Sequence, residues 1–258
     1  MTELTIVSPH RDDVPFSLYL SLSQWRAVPL KLNVVTVFNL SVYAPRASAL
    51  PSNLDEAKSI VTSLRKREDS RVFRLIDKTI RVEELNFLDA PLRLGISVAS
   101  VCKPQSFLID GRPEVETLSH RFRRYFLRGL VLAPLALGGH VDHRIVRAAA
   151  IKSAMPQKLG FYEDLPYATW VSDASLRKAV LAAEHGTGVP LKSSLVRQKG
   201  SIFRKRSVIS RYQSQITRKE ANAIARFACN YGGAERIWVP QHGRAWRSLI
   251  RGAYVQAF

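Results

Sequence analysis

Five short apolar runs punctuate the chain: LTIVS (4–8), LKLNVVTVFNL (30–40), IRVEELNFL (80–88), LVLAPLAL (130–137) and KLGFYEDL (158–165). They suit buried strands in length and in their flanking polar residues. The stretches between them follow a helical period instead. In LDEAKSIVTSLRKREDSRVFRLID (54–77), Ala57, Ile60, Val61, Leu64, Val72 and Leu75 fall near three- to four-residue steps, and Asn53 is placed to cap the first turn. EVETLSHRFRRYFLR (114–128) and HRIVRAAAIKSAM (143–155) are further helices, the first with a solvated basic face. Two more are expected near RKRSVISRYQSQ (204–215) and in TRKEANAIARFACNYGG (217–233), where glycines supply a stop. Strands alternating with helices predict an α/β fold, a Rossmann-like, mostly parallel sheet with helices on both faces. With no repeats or long linkers, residues 1–258 are expected to form one domain whose portion from about 190 to 258 is basic.

Charge changes that picture most. The net charge is +18, and residues 190–258 hold 14 basic against 2 acidic side chains. RQKGSIFRKRS (197–207) and RKEANAIAR (218–226) carry much of the excess. Such a bias favours an anionic partner: a phosphorylated or nucleotide-linked substrate, an anionic membrane surface touched peripherally, or nucleic acid, set against a merely solvated surface. No apolar stretch reaches the length of a transmembrane helix, and the N-terminus lacks the order of a signal peptide. Cys102 and Cys229 lie far apart without metal-type spacing, so a reducing, cytoplasmic location is expected.

The chemistry is concentrated where two strands end. SPHRDDV (8–14) sets His10, Asp12 and Asp13 together, although adjacent carboxylates repel and are costly to bury without a cation. LALGGHVDHRIV (135–146) follows another strand with His140, Asp142 and His143, the glycines allowing a tight turn. Parallel strands put both clusters on one edge of the sheet. Two histidines and a carboxylate are a ligand set of catalytic zinc, and they suit ferrous iron equally. A remaining acid and the remaining imidazole would then serve as base and oxyanion stabiliser in metal-assisted hydrolysis. Spacing alone does not say which of Asp12 and Asp13 binds the metal.

SPHRDDV followed by GGHVDHR resembles the N-acetylglucosaminylphosphatidylinositol de-N-acetylase family (the PIG-L or LmbE-like group), whose signatures read approximately Pro-His-x-Asp-Asp and His-x-Asp-His. RKRED (65–69), LNFLDAPLR (85–93), FYEDLPYA (161–168) and VISRYQSQ (208–215) also look like family stretches, in the same order. The resemblance implies that His10, Asp13 and His143 bind zinc. It makes Asp12 the general base toward a zinc-bound water, and His140 the oxyanion stabiliser or proton donor, with Asp142 as a nearby orienter. It also implies substrate contacts by Asp89, which a helix- or turn-cap role explains equally well, and by Arg65 and Arg67, at least one of which is expected on the solvated helix surface. Arg93 could add charge to the cleft, while Glu163 and Asp164 are left between pocket-rim and structural roles. The expected activity is removal of an N-acetyl group from an amino sugar or glycoconjugate, with an anionic substrate favoured by the charge. The alternatives are an amidase of the same family acting on a larger acyl or thiol-sugar conjugate, and a non-catalytic anion- or nucleic-acid-binding protein on this fold. One departure stands out: many members have Glu directly after the Asp pair, where this chain has Val14.

Overall fold

The computed structural model describes residues 2–103, 108–109, 111–197 and 202–255. Residues 198–201 of the basic run, and 256–258 at the end of the C-terminal portion, lie outside the described residues. Five parallel strands follow the five apolar runs: β1 (Thr2–Ser8), β2 (Leu30–Thr36), β3 (Arg81–Glu84), β4 (Leu130–Pro134) and β5 (Leu159–Tyr162). Two strands that the apolar pattern did not mark, β6 (Leu191–Arg197) and β7 (Ala234–Pro240), join the same sheet through antiparallel pairings. The order is β3-β2-β1-β4-β5-β7-β6. The expected mostly parallel α/β fold is therefore borne out, and the basic C-terminal portion supplies one margin of the sheet.

The helices are α1 (Asp13–Trp25), α2 (Leu54–Ile76), α3 (Ala90–Leu94), α4 (Pro113–Arg128), α5 (Val141–Ser153), α6 (Asp173–Thr187), α7 (Ile202–Ile209), α8 (Arg218–Arg226) and α9 (Arg244–Val255). Asn53 caps α2 as expected, its side chain accepting the Glu56 N–H at 2.9 Å. α1 was not expected: it is buried on every side, and its polar positions Ser17, Ser21, Ser23 and Gln24 are buried with the rest, so no strongly polar solvent face marks it. It packs on β1, β6 and β7, and touches α2, α7 and α8; α4, α5 and α6 form a second group of contacting helices.

α1 is broken at Leu18 (φ −127°, ψ 20°). At the break the N–H groups of Leu20 and Ser21 donate to the Glu235 carboxylate at 3.0 and 2.8 Å. Lys205 of α7 balances that buried charge at 2.9 Å. A strand, a helix and a broken helix are thereby locked together behind the loop that follows β1. Among the described residues no helix is long and apolar enough to cross a membrane.

Candidate active site

β1 and β4 are adjacent, with Ile6 opposite Leu132. The chain moves outward from β1 to β2 and β3 on one side, and from β4 to β5 on the other, so the strand order reverses between them. Ligands in open α/β sheets bind at such a switch point, beyond the C-terminal strand ends. Both polar clusters leave the sheet there, one into α1 and the other into α5.

The expected convergence is found. The His10, His140 and His143 rings lie 4.9 to 5.2 Å apart, centroid to centroid. Asp13 Oδ2 is 3.3 Å from His10 Nδ1 and 3.3 Å from His143 Nε2. Ligands about 2.0–2.1 Å from a tetrahedral zinc ion are separated by about 3.3–3.4 Å, so these spacings fit one ion. His143 Nε2 is buried without a hydrogen bond, as a nitrogen kept for a cation would be. The far side of each ring is occupied: His10 Nε2 lies 3.0 Å from Asp142 Oδ2, and His143 Nδ1 lies 2.9 Å from Asp164 Oδ1. Carboxylate–imidazole pairs of this kind orient metal-ligating histidines. A second triple, His10, His140 and Asp142, is also close enough to hold an ion. Its Asp142 carboxylate is already engaged by His10, the Ala90 N–H at 2.9 Å and Arg93 at 2.8 Å, so the first triple is the better fit.

The electrostatics agree. Burial alone would raise the Asp13 carboxyl, but the His143 and His10 rings hold it well below the ordinary carboxylate range. Burial opposes charge on His10, yet Asp13 and Asp142 push it up to about 9; burial opposes charge on His143, yet Asp13 and Asp164 push it up to about 10. His140 goes the other way: burial, and then the His10 charge, drop it well below the usual histidine value. Its Nδ1 accepts the Asp142 N–H at 3.1 Å, so a neutral ring carries its proton on Nε2.

The other expected residues divide clearly. Asp12 pairs through Oδ1 with Arg65 Nη2 at 3.1 Å, and Arg65 is buried. Arg67 is exposed on α2 and is not brought to the cluster. Asp89 is the buried N-cap of α3, accepting the Leu92 N–H at 3.3 Å. Arg93 bridges Asp142 and Glu114 and lies over the Phe38 ring, 4.5 Å from its centroid. Asp142 orients His10, whereas Glu163 turns away to Arg236 at 2.5 Å. Val14 is fully buried, so the position after the acid pair serves the core in this chain.

Sequence reasoning did not assign Asp164 to His143; its one signal was an acid at the end of a strand. It also passed over Tyr167, whose ring is 5.0 Å from His143 and 5.9 Å from His140, and Trp170, which packs on Tyr167 at 5.6 Å and is largely exposed. The family-like stretches do meet. Glu68 accepts from Ser214 N and Oγ at 2.8 and 2.6 Å, and the Tyr212 hydroxyl donates to Asp69 at 2.7 Å.

Fold and site together define an α/β protein with a His–Asp–His cluster at the switch point of its sheet. No family model matches the chain. It is 36% identical over 167 residues to the 2'-N-acetylparomamine deacetylase of Streptomyces fradiae, covering 63% of this chain and 57% of that protein. The chain thus matches little more than half the length of this curated relative. Among solved structures, the A40926 pseudoaglycone deacetylase Dbv21 superposes with a TM-score of 0.64 at 23% identity, covering 93% of this chain and 96% of that one. A zinc-inhibited form of teicoplanin deacetylase Orf2 superposes with a TM-score of 0.62 at 21% identity, covering 92% and 97%. With its paired motifs, the chain resembles the PIG-L/LmbE-like de-N-acetylases, and it shares its fold with the two solved deacetylases.

Proposed function

We propose that this protein is a metal-dependent hydrolase that removes an N-acetyl group from an amino sugar or glycoconjugate. The observation that carries the reading is Asp13 Oδ2 set 3.3 Å from a nitrogen of His10 and of His143, with Asp12 adjacent in the chain and tied to Arg65. His10, Asp13 and His143 would hold the metal, which supplies a Lewis acid for the acetamide carbonyl and a more acidic water. Zinc and ferrous iron both suit these donors, and the zinc-inhibited form of one structural relative makes the comparison of the two ions part of the test. The unpaired Cys102 and Cys229 suit a reducing compartment, in line with a cytoplasmic enzyme.

Arg65 fixes the Asp12 carboxylate through one oxygen, and the other takes a proton from the attacking water. His140, neutral and protonated on Nε2, donates to the oxygen that gains charge as the carbonyl becomes tetrahedral. The C–N bond then breaks, and Asp12 passes its proton to the departing nitrogen. Acetate and a free amine leave without a covalent enzyme adduct.

The test is acetate release from a panel of N-acetylated amino sugars, including 2'-N-acetylparomamine and N-acetylglucosamine, by protein loaded with zinc or with ferrous iron. Asp12→Ala should keep the metal and lose about 100-fold to 10,000-fold in rate, the range for general-base catalysis. Full turnover by that variant would sink the mechanism.

A further inference from the structure

The most basic part of the chain folds around a cavity that the His–Asp cluster does not line. It has a volume of about 850 Å³, and Arg206, Ser210, Arg211, Thr217 and Arg218, from α7, α8 and the turn between them, line it together with Arg46 from the loop after β2. Among the described residues, Arg206, Arg211 and Arg218 have no carboxylate within ion-pair distance. Of the two acids beyond residue 190, Glu220 stands at the cavity margin and offsets part of its charge, whereas Glu235 lies away from it. Glu220, whose charge also reaches Arg46, accepts from the Thr217 N–H and hydroxyl at 2.6 and 2.7 Å. Glu235 is buried against Lys205 and α1.

Four guanidinium groups around one concavity repel each other and focus a positive potential into it. A single carboxylate would leave most of that charge uncompensated. A phosphate or diphosphate brings two or more charges, and its oxygens match the planar guanidinium fork. The cavity is also tied to the His–Asp cluster. Ser41 Oγ is 3.4 Å from Arg65, the partner of Asp12, while the Arg46 N–H donates to Ser214 O at 3.2 Å. Five residue steps from Ser41 to Arg46 span at most about 18 Å, so the backbone at the cavity wall lies within that distance of the residue beside the Asp12–Arg65 pair.

We propose that this cavity is an anion subsite for a phosphate- or diphosphate-bearing portion of the N-acetylated substrate; the substrate half of the inference rests on the deacetylase reading, the anion half on the cavity alone. Calorimetric titration with inorganic pyrophosphate tests the anion half. The full chain binds, Arg211→Ser/Arg218→Ser binds at least about tenfold more weakly, as loss of charge-assisted hydrogen bonds requires, and the charge-matched Arg177→Ser/Lys178→Ser on α6 binds within about twofold of the parent. Absent binding, binding unchanged in the cavity variant, or equal loss in the α6 variant overturns the subsite.

Acetate release tests the substrate half, comparing N-acetylglucosamine, its 1-phosphate and its uridine-diphosphate conjugate. A kcat/KM at least about tenfold higher for a phosphorylated sugar, with the preference lost in the cavity variant, supports the inference, and the better of the two phosphorylated substrates identifies a mono- or diphosphate. Pyrophosphate binding without acetate release from any sugar leaves the anion site standing and removes the deacetylase reading. Equal kcat/KM for all three sugars, with no pyrophosphate binding, does the reverse.

Discussion

His143 and Asp164 face each other across 2.9 Å, Nδ1 to Oδ1, with neither side chain exposed to solvent. The other carboxylate oxygen of Asp164 accepts the Leu137 N–H at 2.9 Å, which fixes the acid in place. The pair keeps a proton on Nδ1 and presents Nε2 to Asp13. Asp164→Asn should therefore lower metal affinity by about 10-fold to 100-fold, the usual cost of losing such a partner. Competition against a chromophoric chelator measures this. Excess metal should restore much of the acetate release, and an unchanged affinity would remove Asp164 from the site.

Metal uptake should release protons. His10 at about 9 and His143 at about 10 are both charged in the metal-free protein at pH 7, and each must become neutral to coordinate. Two released protons imply an apparent affinity rising by up to about a hundredfold per pH unit between pH 7 and 9. The metal-free protein has the opposite trend. Raised histidine values stabilise the fold fully below the ordinary value near 6.5, and that stabilisation is lost as pH climbs through about 9 to 10. Calorimetry in buffers of different ionisation enthalpy counts the protons. A count of zero contradicts the assignment of these ligands.

Legibility in the sequence followed locality. His10, Asp12 and Asp13 are chain neighbours, as are His140, Asp142 and His143, and apolar runs before each cluster sufficed to predict convergence at a sheet edge. Asp164 lies 21 residues from His143, and only the pairing of β4 with β5 brings them together. β6 was illegible because LKSSLVR carries Lys192, Ser193 and Ser194 in mid-strand, at the margin of the sheet. α1 failed for the opposite reason, being wholly buried, with small polar residues such as Ser17 and Ser21 where a surface helix would carry charges. α6 did carry signals, with Ser172 at its N-cap and Gly188 in the left-handed conformation at its end, and these were passed over.

Lys205 and Glu235 make a buried pair whose loss should be costly. Lys205→Met leaves the Glu235 carboxylate buried with, among the described residues, the Leu20 and Ser21 N–H groups and the Ser21 hydroxyl as its donors. Breaking such a pair from one side costs about 3–5 kcal/mol. At about 2–4 °C per kcal/mol for a chain of this order of size, the melting temperature should fall by about 6–20 °C. Thermal unfolding followed by circular dichroism measures it. A shift below about 2 °C would show that the pair contributes little.

Gly138 should matter for activity through Tyr167 and not only through its backbone. Its φ is +70°, and a Cβ built there would stand 2.8 Å from Tyr167 Cβ, too close for the ring to stay where it touches His140 and His143. Gly188 has the same φ of +70°, at the end of α6, with nothing within 4 Å of its added Cβ. Each Gly→Ala change carries the left-handed backbone penalty of about 1–2 kcal/mol. Gly188→Ala should stop there, with a lowered melting temperature and ordinary acetate release. Gly138→Ala should add the displacement of Tyr167, lowering kcat/KM by about tenfold or more while metal binding by His10, Asp13 and His143 persists, since misplacing groups at a reacting centre by about 1 Å can cost about a hundredfold. Steady-state kinetics and metal titration on the two variants separate the effects. Equal kcat/KM for both would mean that Tyr167 covers the imidazoles without shaping the reaction.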